Sequence, residues 1–185
     1  MFRSVGNLGF VLAVLNAGCS VAPVALSADV PNAGGAYANA SVTGYTSSNA
    51  ILTTGYSDRE LGPDHVEVRV KGSVVTSAER LEKIASARAA EIGVEEKRKF
   101  FKVGSVVQSV VCTPPRDQAH KGGRISAEQA TVLVMDVVYA KEALDGSYRP
   151  SGDTFDRLTR ELLDESVSAE SKMATAAAVQ ARCGK

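Results

Sequence analysis

The chain has no tryptophan, and aromatic side chains make up only 5% of its 185 residues. Surfaces that bind single strands by stacking bases need such rings, so their scarcity argues against one. An excess of either charge is also missing: Lys and Arg number 21, and Asp and Glu number 21. Polyanions are held by clustered cations that neutralise phosphates, so no nucleic-acid partner is expected. Long apolar runs are absent too. The compact run Leu8 to Leu15 (LGFVLAVL) falls well short of the ~20 residues that a membrane-spanning helix needs. G-x-S-x-G, a phosphate-binding glycine loop, a dinucleotide fingerprint and H-E-x-x-H are all missing. Nothing therefore points to a catalytic residue, a cofactor or a metal, and an enzymatic role has no positive support. Zinc in particular wants closely spaced ligand pairs, and the chain has none.

What is present begins at the N-terminus. Met1-Phe2-Arg3 is a short, singly charged start, followed by the apolar run and then by the small or neutral residues Asn16-Ala17-Gly18 before Cys19. This is the layout of a secretory signal peptide over residues 1–18. Removing it takes away one cation, Arg3, leaving 20 basic against 21 acidic residues, a net −1. Leu15-Asn16-Ala17-Gly18-Cys19 resembles the bacterial lipoprotein signal, in which the cysteine is acylated and becomes the mature N-terminus. The departure is Asn16, where that signal carries an aliphatic residue. The alternative is a plain secretory peptide cut elsewhere. The resemblance implies lipid attached at Cys19, hence an envelope protein anchored on the periplasmic side. Ser20, rather than Asp, after the cysteine favours the outer membrane. One acyl chain binds a bilayer only marginally, whereas two or three hold firmly at about 0.8 kcal/mol per buried methylene.

Residues 19–52 are expected to form a flexible tether. They are rich in Ala, Ser, Gly, Asn and Pro, and Asp29 is their one charge. Such a composition buries too little apolar surface to offset its ordering entropy. Thr43-Gly44-Tyr45-Thr46 and Thr54-Gly55-Tyr56-Ser57 echo each other and read as two short turn or strand-edge segments.

A single domain is expected over 53–185. His65 to Lys71 alternates strictly, with Val66, Val68 and Val70 on one side, the pattern of a half-buried strand. Thr76 or Ser77 caps a helix running over 77–99, with Leu81, Ile84, Ala85, Ala89 and Ile92 as its apolar stripe. Arg88 and Glu91 lie three apart, within pairing distance. Lys97-Arg98-Lys99 suits the negative end of the helix dipole in its last turn. Phe100 and Phe101 lead into a valine-rich strand ending at Cys112, read as buried, with a bulge near Val106-Val107.

These residues support a second resemblance. Gly55-Tyr56-Ser57, the alternating strand closed by Gly72, the helix opened by Thr76 and carrying Arg88-Ala89-Ala90-Glu91, and the step through Phe101 into a strand are similar to a family of small uncharacterised bacterial lipoproteins. The likeness covers residues 53–112. It departs after the helix, where the family shows a Gly-Tyr-Asp turn and this chain has Lys97-Arg98-Lys99. The resemblance implies an envelope address but no activity.

Residues 113–126 contain Pro114, Pro115, Gly122 and Gly123 and read as a loop. Arg116, His120, Lys121 and Arg124 within it offer either a solvated surface or an anion site. Ala130 to Ala140 is a mostly buried strand, with Asp136 as its polar member, at a sheet edge or paired with a Lys or Arg. Asp153 is a candidate N-cap for a helix using Phe155, Leu158, Leu162 and Leu163. An Ala-rich helical tail follows from Ser168 to Ala181. If Cys19 is acylated, Cys112 and Cys183 remain, either as a disulfide or as two independent thiols.

The expected fold is α+β: a small sheet in the order strand-helix-strand-strand, built from 65–72, 103–112 and 130–140, packed against a long helix and joined by a C-terminal helical region. The expected function is a membrane-anchored envelope lipoprotein that is structural or binds an envelope protein partner. The alternative is a periplasmic hydrolase or small-ligand binder using the 113–126 loop.

Overall fold

The computed structural model describes residues 33–49, 53–113, 116–118, 123–125 and 128–184. The signal segment, Cys19, residues 20–32 and 50–52, His120 and Lys121 lie outside these. The α+β expectation holds: a five-stranded antiparallel sheet packs against helices. In chain order the elements are α1 (Ala33–Ala38), β1 (Gly55–Gly62), β2 (His65–Lys71), α2 (Ala78–Glu95), β3 (Phe100–Thr113), β4 (Arg116–Gln118), β5 (Gly123–Ile125), β6 (Glu128–Ala140), β7 (Arg149–Pro150), α3 (Ser151–Asp164) and α4 (Ala169–Cys183). The main sheet runs β1-β2-β6-β3-β7, and β4-β5 form a separate two-stranded ribbon.

The alternation of β2 does what its pattern predicts. Val66, Val68 and Val70 are buried and lie opposite Val137, Met135 and Leu133 of β6. Phe101 and Tyr139 extend the same face. The helix α2 covers this face. All five residues of its expected stripe are buried, and so are Ala87 and Ala90. Burial reaches right round α2 because α3 packs against it, adding Leu158 and Leu162 to the core. The Tyr139 hydroxyl donates to the Ala89 carbonyl at 2.8 Å, tying the sheet to the helix.

Of the two cap candidates it is Ser77 that caps α2: its side chain accepts from the Arg80 backbone N–H. Other expectations need correcting. The helix ends at Glu95 rather than 99. The N–H of Arg98 bonds back to the Gly93 carbonyl at 2.7 Å and that of Lys97 to Val94 at 3.3 Å, with Lys97 at φ 58. This is a Schellman close, whose left-handed residue is normally glycine because a side chain there costs about 1 kcal/mol or more. Lys97→Gly is accordingly expected to raise stability by about 1 kcal/mol, read as a higher urea midpoint at unchanged slope.

Asp153 lies inside the first turn of α3 instead of capping it, and Leu163 faces solvent at 83% exposure. The bulge in β3 falls between Val103 and Val106. The strand itself is not buried, since Gly104 to Ser109 are all exposed. The β-branched run marks a strand correctly but says nothing of its place in the sheet, which is near the edge. Residues 113–126 include the β4-β5 ribbon, with Arg116 opposite Ile125 and Asp117 opposite Arg124.

The folded body also begins before residue 53. Within the expected tether, α1 contacts α4, and Thr43 is buried, its N–H donating to the Thr76 hydroxyl at 2.9 Å. The two echoing segments lie side by side. Ser47 bridges Tyr56, and the Tyr56 N–H donates to the Thr46 carbonyl at 2.9 Å. Gly55 makes this approach possible: at φ 125, an added Cβ would sit 2.4 Å from the Thr46 oxygen.

Candidate functional site

Tyr45, Tyr56, Asp58, Arg88, Glu91 and Glu95 gather at one place, where β1, α2 and the 43–48 segment meet. Arg88 is its centre. Its Nε donates to Asp58 Oδ1 at 2.9 Å, and its Nη1 donates to Glu91 Oε2 at 2.7 Å and Glu95 Oε2 at 3.2 Å. The guanidinium also lies 5.3 Å from the centre of the Tyr56 ring. Glu91 in turn accepts from the Tyr45 hydroxyl at 2.7 Å. The Tyr45 ring packs 5.0 Å from Tyr56 and 6.4 Å from Phe155.

Burial and bonding set the charge states. Burial alone would lower the Arg88 pKa, but its hydrogen bonds to Asp58 and Glu91 outweigh that and hold it above the ordinary value. Burial first, and then the bond to Glu91, pushes the Tyr45 phenol well above its usual range. Burial first, and then the nearby Glu91 charge, raises Tyr56. One cation faces three carboxylates, and the functional atoms of Arg88, Glu91 and Tyr45 point at each other. What this arrangement can do chemically is clamp β1 and residues 43–48 onto α2. Gly72, Ala89, Ala90 and Phe101 are likewise architectural. Gly72 leaves only 2.8 Å between an added Cβ and Leu81, while Ala89, Ala90 and Phe101 are fully buried. Ser57 is exposed on β1.

A second cluster lies on the face of the sheet away from α2. Among the described residues Asp136 is paired with neither Lys nor Arg. Its Oδ2 accepts from the Ser105 hydroxyl at 2.7 Å, and its Oδ1 lies 4.0 Å from His65 Nε2. Strand pairing brings these three together from β3, β6 and β2. Nucleophilic catalysis places the base between the nucleophile and the orienting acid. Here the carboxylate stands in the middle and takes the serine proton-donor bond itself, so the serine is not activated by the histidine. Sequence spacing places no histidine near Asp136; the β2–β6 register brings His65 there.

An open groove of about 600 Å³ runs beside Arg98, between Asp64, Glu96, Lys97 and the 140–144 segment. Arg98 donates from Nη2 to the Pro63 carbonyl at 2.6 Å and lies 4.9 Å from the Tyr139 ring centre. The groove's three cations (Lys97, Arg98, Lys141) meet three carboxylates (Asp64, Glu96, Glu142), so it favours neither sign of ligand. Among the described residues no group of three His, Cys, Asp or Glu could hold a metal ion. Among them, too, no helix is long and apolar enough to cross a membrane.

The cysteine pair is joined: Cys112 in β3 and Cys183 at the end of α4 form a disulfide with Cα atoms 5.5 Å apart. Of the loop residues expected as an alternative site, Arg116 and Arg124 lie on the two strands of the ribbon, at non-opposed positions. No family model matches the chain, and neither curated proteins nor solved structures give a match.

Proposed function

We propose that the protein is a lipid-anchored component of the bacterial cell envelope, held on the periplasmic side through acylated Cys19, with the outer membrane favoured. Its body serves as a structural or protein-docking module. The observation that carries this reading is the Cys112–Cys183 disulfide. Disulfides persist in oxidising compartments, which fits an exported chain. With three cysteines in all, the bridge also leaves Cys19 as the remaining thiol, at the position where a lipoprotein signal places its acyl acceptor. The dense packing of the lipoprotein-like residues into a clamp and a core supports a scaffold role for them.

The test is metabolic labelling with palmitate of the parent chain and of Cys19→Ser. Label in the parent and none in the variant is the expected result. An unlabelled parent overturns the proposal.

A further inference from the structure

Between the start of α2, the helix α4 and the strands β3 and β6 lies a cavity of about 200 Å³. The main sheet forms one wall. Thr131 of β6 lies on the same face as Leu133 and Met135, the face that α2 covers, and β3 sets Val110 opposite it. Thr131 lines the cavity and is only 3% exposed. Its hydroxyl has no hydrogen-bond partner among the described residues. Buried hydroxyls are normally satisfied, so one left open here calls for a bound group beside it. Other groups give the cavity a sign. Arg182 lines it from α4 and pairs with no carboxylate among the described residues. The next residue, Cys183, is bonded to Cys112 of β3, which holds Arg182 against the sheet. The first turn of α2 borders the cavity at Ser77 and Ala78, where helix N–H groups lack partners within the helix. The Ser77 oxygen accepts from the Arg80 N–H and keeps its own proton to donate. No Asp or Glu lines the cavity, and the first-turn acid, Glu79, pairs with Lys83. A cation in the last turn of α4 suits that helix's dipole, but the dipole leaves the open Thr131 hydroxyl unexplained.

We propose that this cavity binds a small organic acid: a monocarboxylate carrying a hydroxyl or keto oxygen. The site does not depend on the lipid anchor. One cation, Arg182, matches one negative charge, and a guanidinium holds a carboxylate through two parallel hydrogen bonds. The donors at the start of α2 favour the same sign of ligand. Thr131 can both donate and accept, so it meets either a hydroxyl or a keto oxygen. Val110, Ala178 and Val179 offer an apolar wall to a short carbon skeleton. Inorganic phosphate would carry more charge than one arginine balances and would leave that wall without contact. The volume is below the roughly 300–1,000 Å³ of sites for drug-sized ligands, which restricts the occupant to a few carbons.

The experiment is isothermal titration of the full chain with lactate and with pyruvate. Propionate, which lacks the second oxygen, and inorganic phosphate are the comparators. At least one of the two acids is expected to bind with a Kd below about 1 mM, and propionate and phosphate about tenfold more weakly. Thr131→Val removes the hydroxyl at nearly constant shape, and Arg182→Gln removes the charge at an exposed position where the fold does not depend on it. Each should weaken binding by about tenfold, whereas Arg59→Gln on the β1 edge should leave it unchanged. Binding of neither acid overturns the proposal. So does an Arg182→Gln chain that binds as the parent does, or phosphate held as tightly as the acids.

Discussion

Replacing Arg88 with alanine is expected to cost about 3 kcal/mol of unfolding free energy, measured by urea denaturation. The side chain is only 16% exposed and holds three carboxylates from two elements. Asp58, Glu91 and Glu95 would face each other with no cation between them, and Glu91, at 23% exposure, has limited access to water. Stranding a partly buried carboxylate costs more than losing an exposed pair, which is worth under about 1 kcal/mol. The cation–π contact with Tyr56 is lost as well. Arg88→Lys separates charge from geometry. A lysine restores one positive charge but cannot present several rigidly spaced donors, so less than half of the loss should return. A cost below ~1 kcal/mol for Arg88→Ala would mean that the cluster behaves as a solvated surface pair and does not clamp β1 to α2.

This cluster also shows where the sequence stops being readable. The Arg88–Glu91 pair is a local fact of helix spacing and was visible. Asp58 and Tyr45 join it from 30 and 46 residues away, through chain folding that no spacing rule encodes. Period-two alternation identified β2, because one face of that strand is buried along its full length. The valine density of β3 identified a strand but not its exposure, since edge or centre depends on what the rest of the chain builds beside it. The 43–48 segment looked like tether because its residues are small. It is held by the hydrogen bonds that Thr43 exchanges with Thr76 and by one tyrosine, a kind of order that apolar composition does not register. The end of α2 was misplaced for a similar reason. The basic triplet satisfies the dipole rule, yet the chain closes two residues before it, and Lys97 is left in a glycine-like conformation.

Cys183→Ser is expected to lower stability by about 4 kcal/mol and to release α4 before the rest of the body unfolds. The bridge spans 71 residues, a long loop whose closure restricts the unfolded chain substantially. Within the folded state its role is uneven. α2 is buried on nearly every side, whereas α4 buries only Ala176 and Val179. It also packs against β3 and β6, but its side-chain hydrogen bonds to other elements run to α1, where Gln180 donates to the Tyr37 hydroxyl at 2.7 Å and Lys172 reaches the Ala38 carbonyl at 3.5 Å. Those bonds join α4 to another short helix, not to the sheet. Without the bridge, α1 and α4 therefore gain freedom together, while β2, β6 and α2 keep their packing. Hydrogen exchange resolves the two outcomes. Amides of α4 should exchange at least about a hundredfold faster in the variant, with those of β6 protected until global unfolding. If α4 and β6 lose protection in equal measure, the tail is an integral part of the cooperative core, and the two buried residues of α4 hold it more strongly than their number implies.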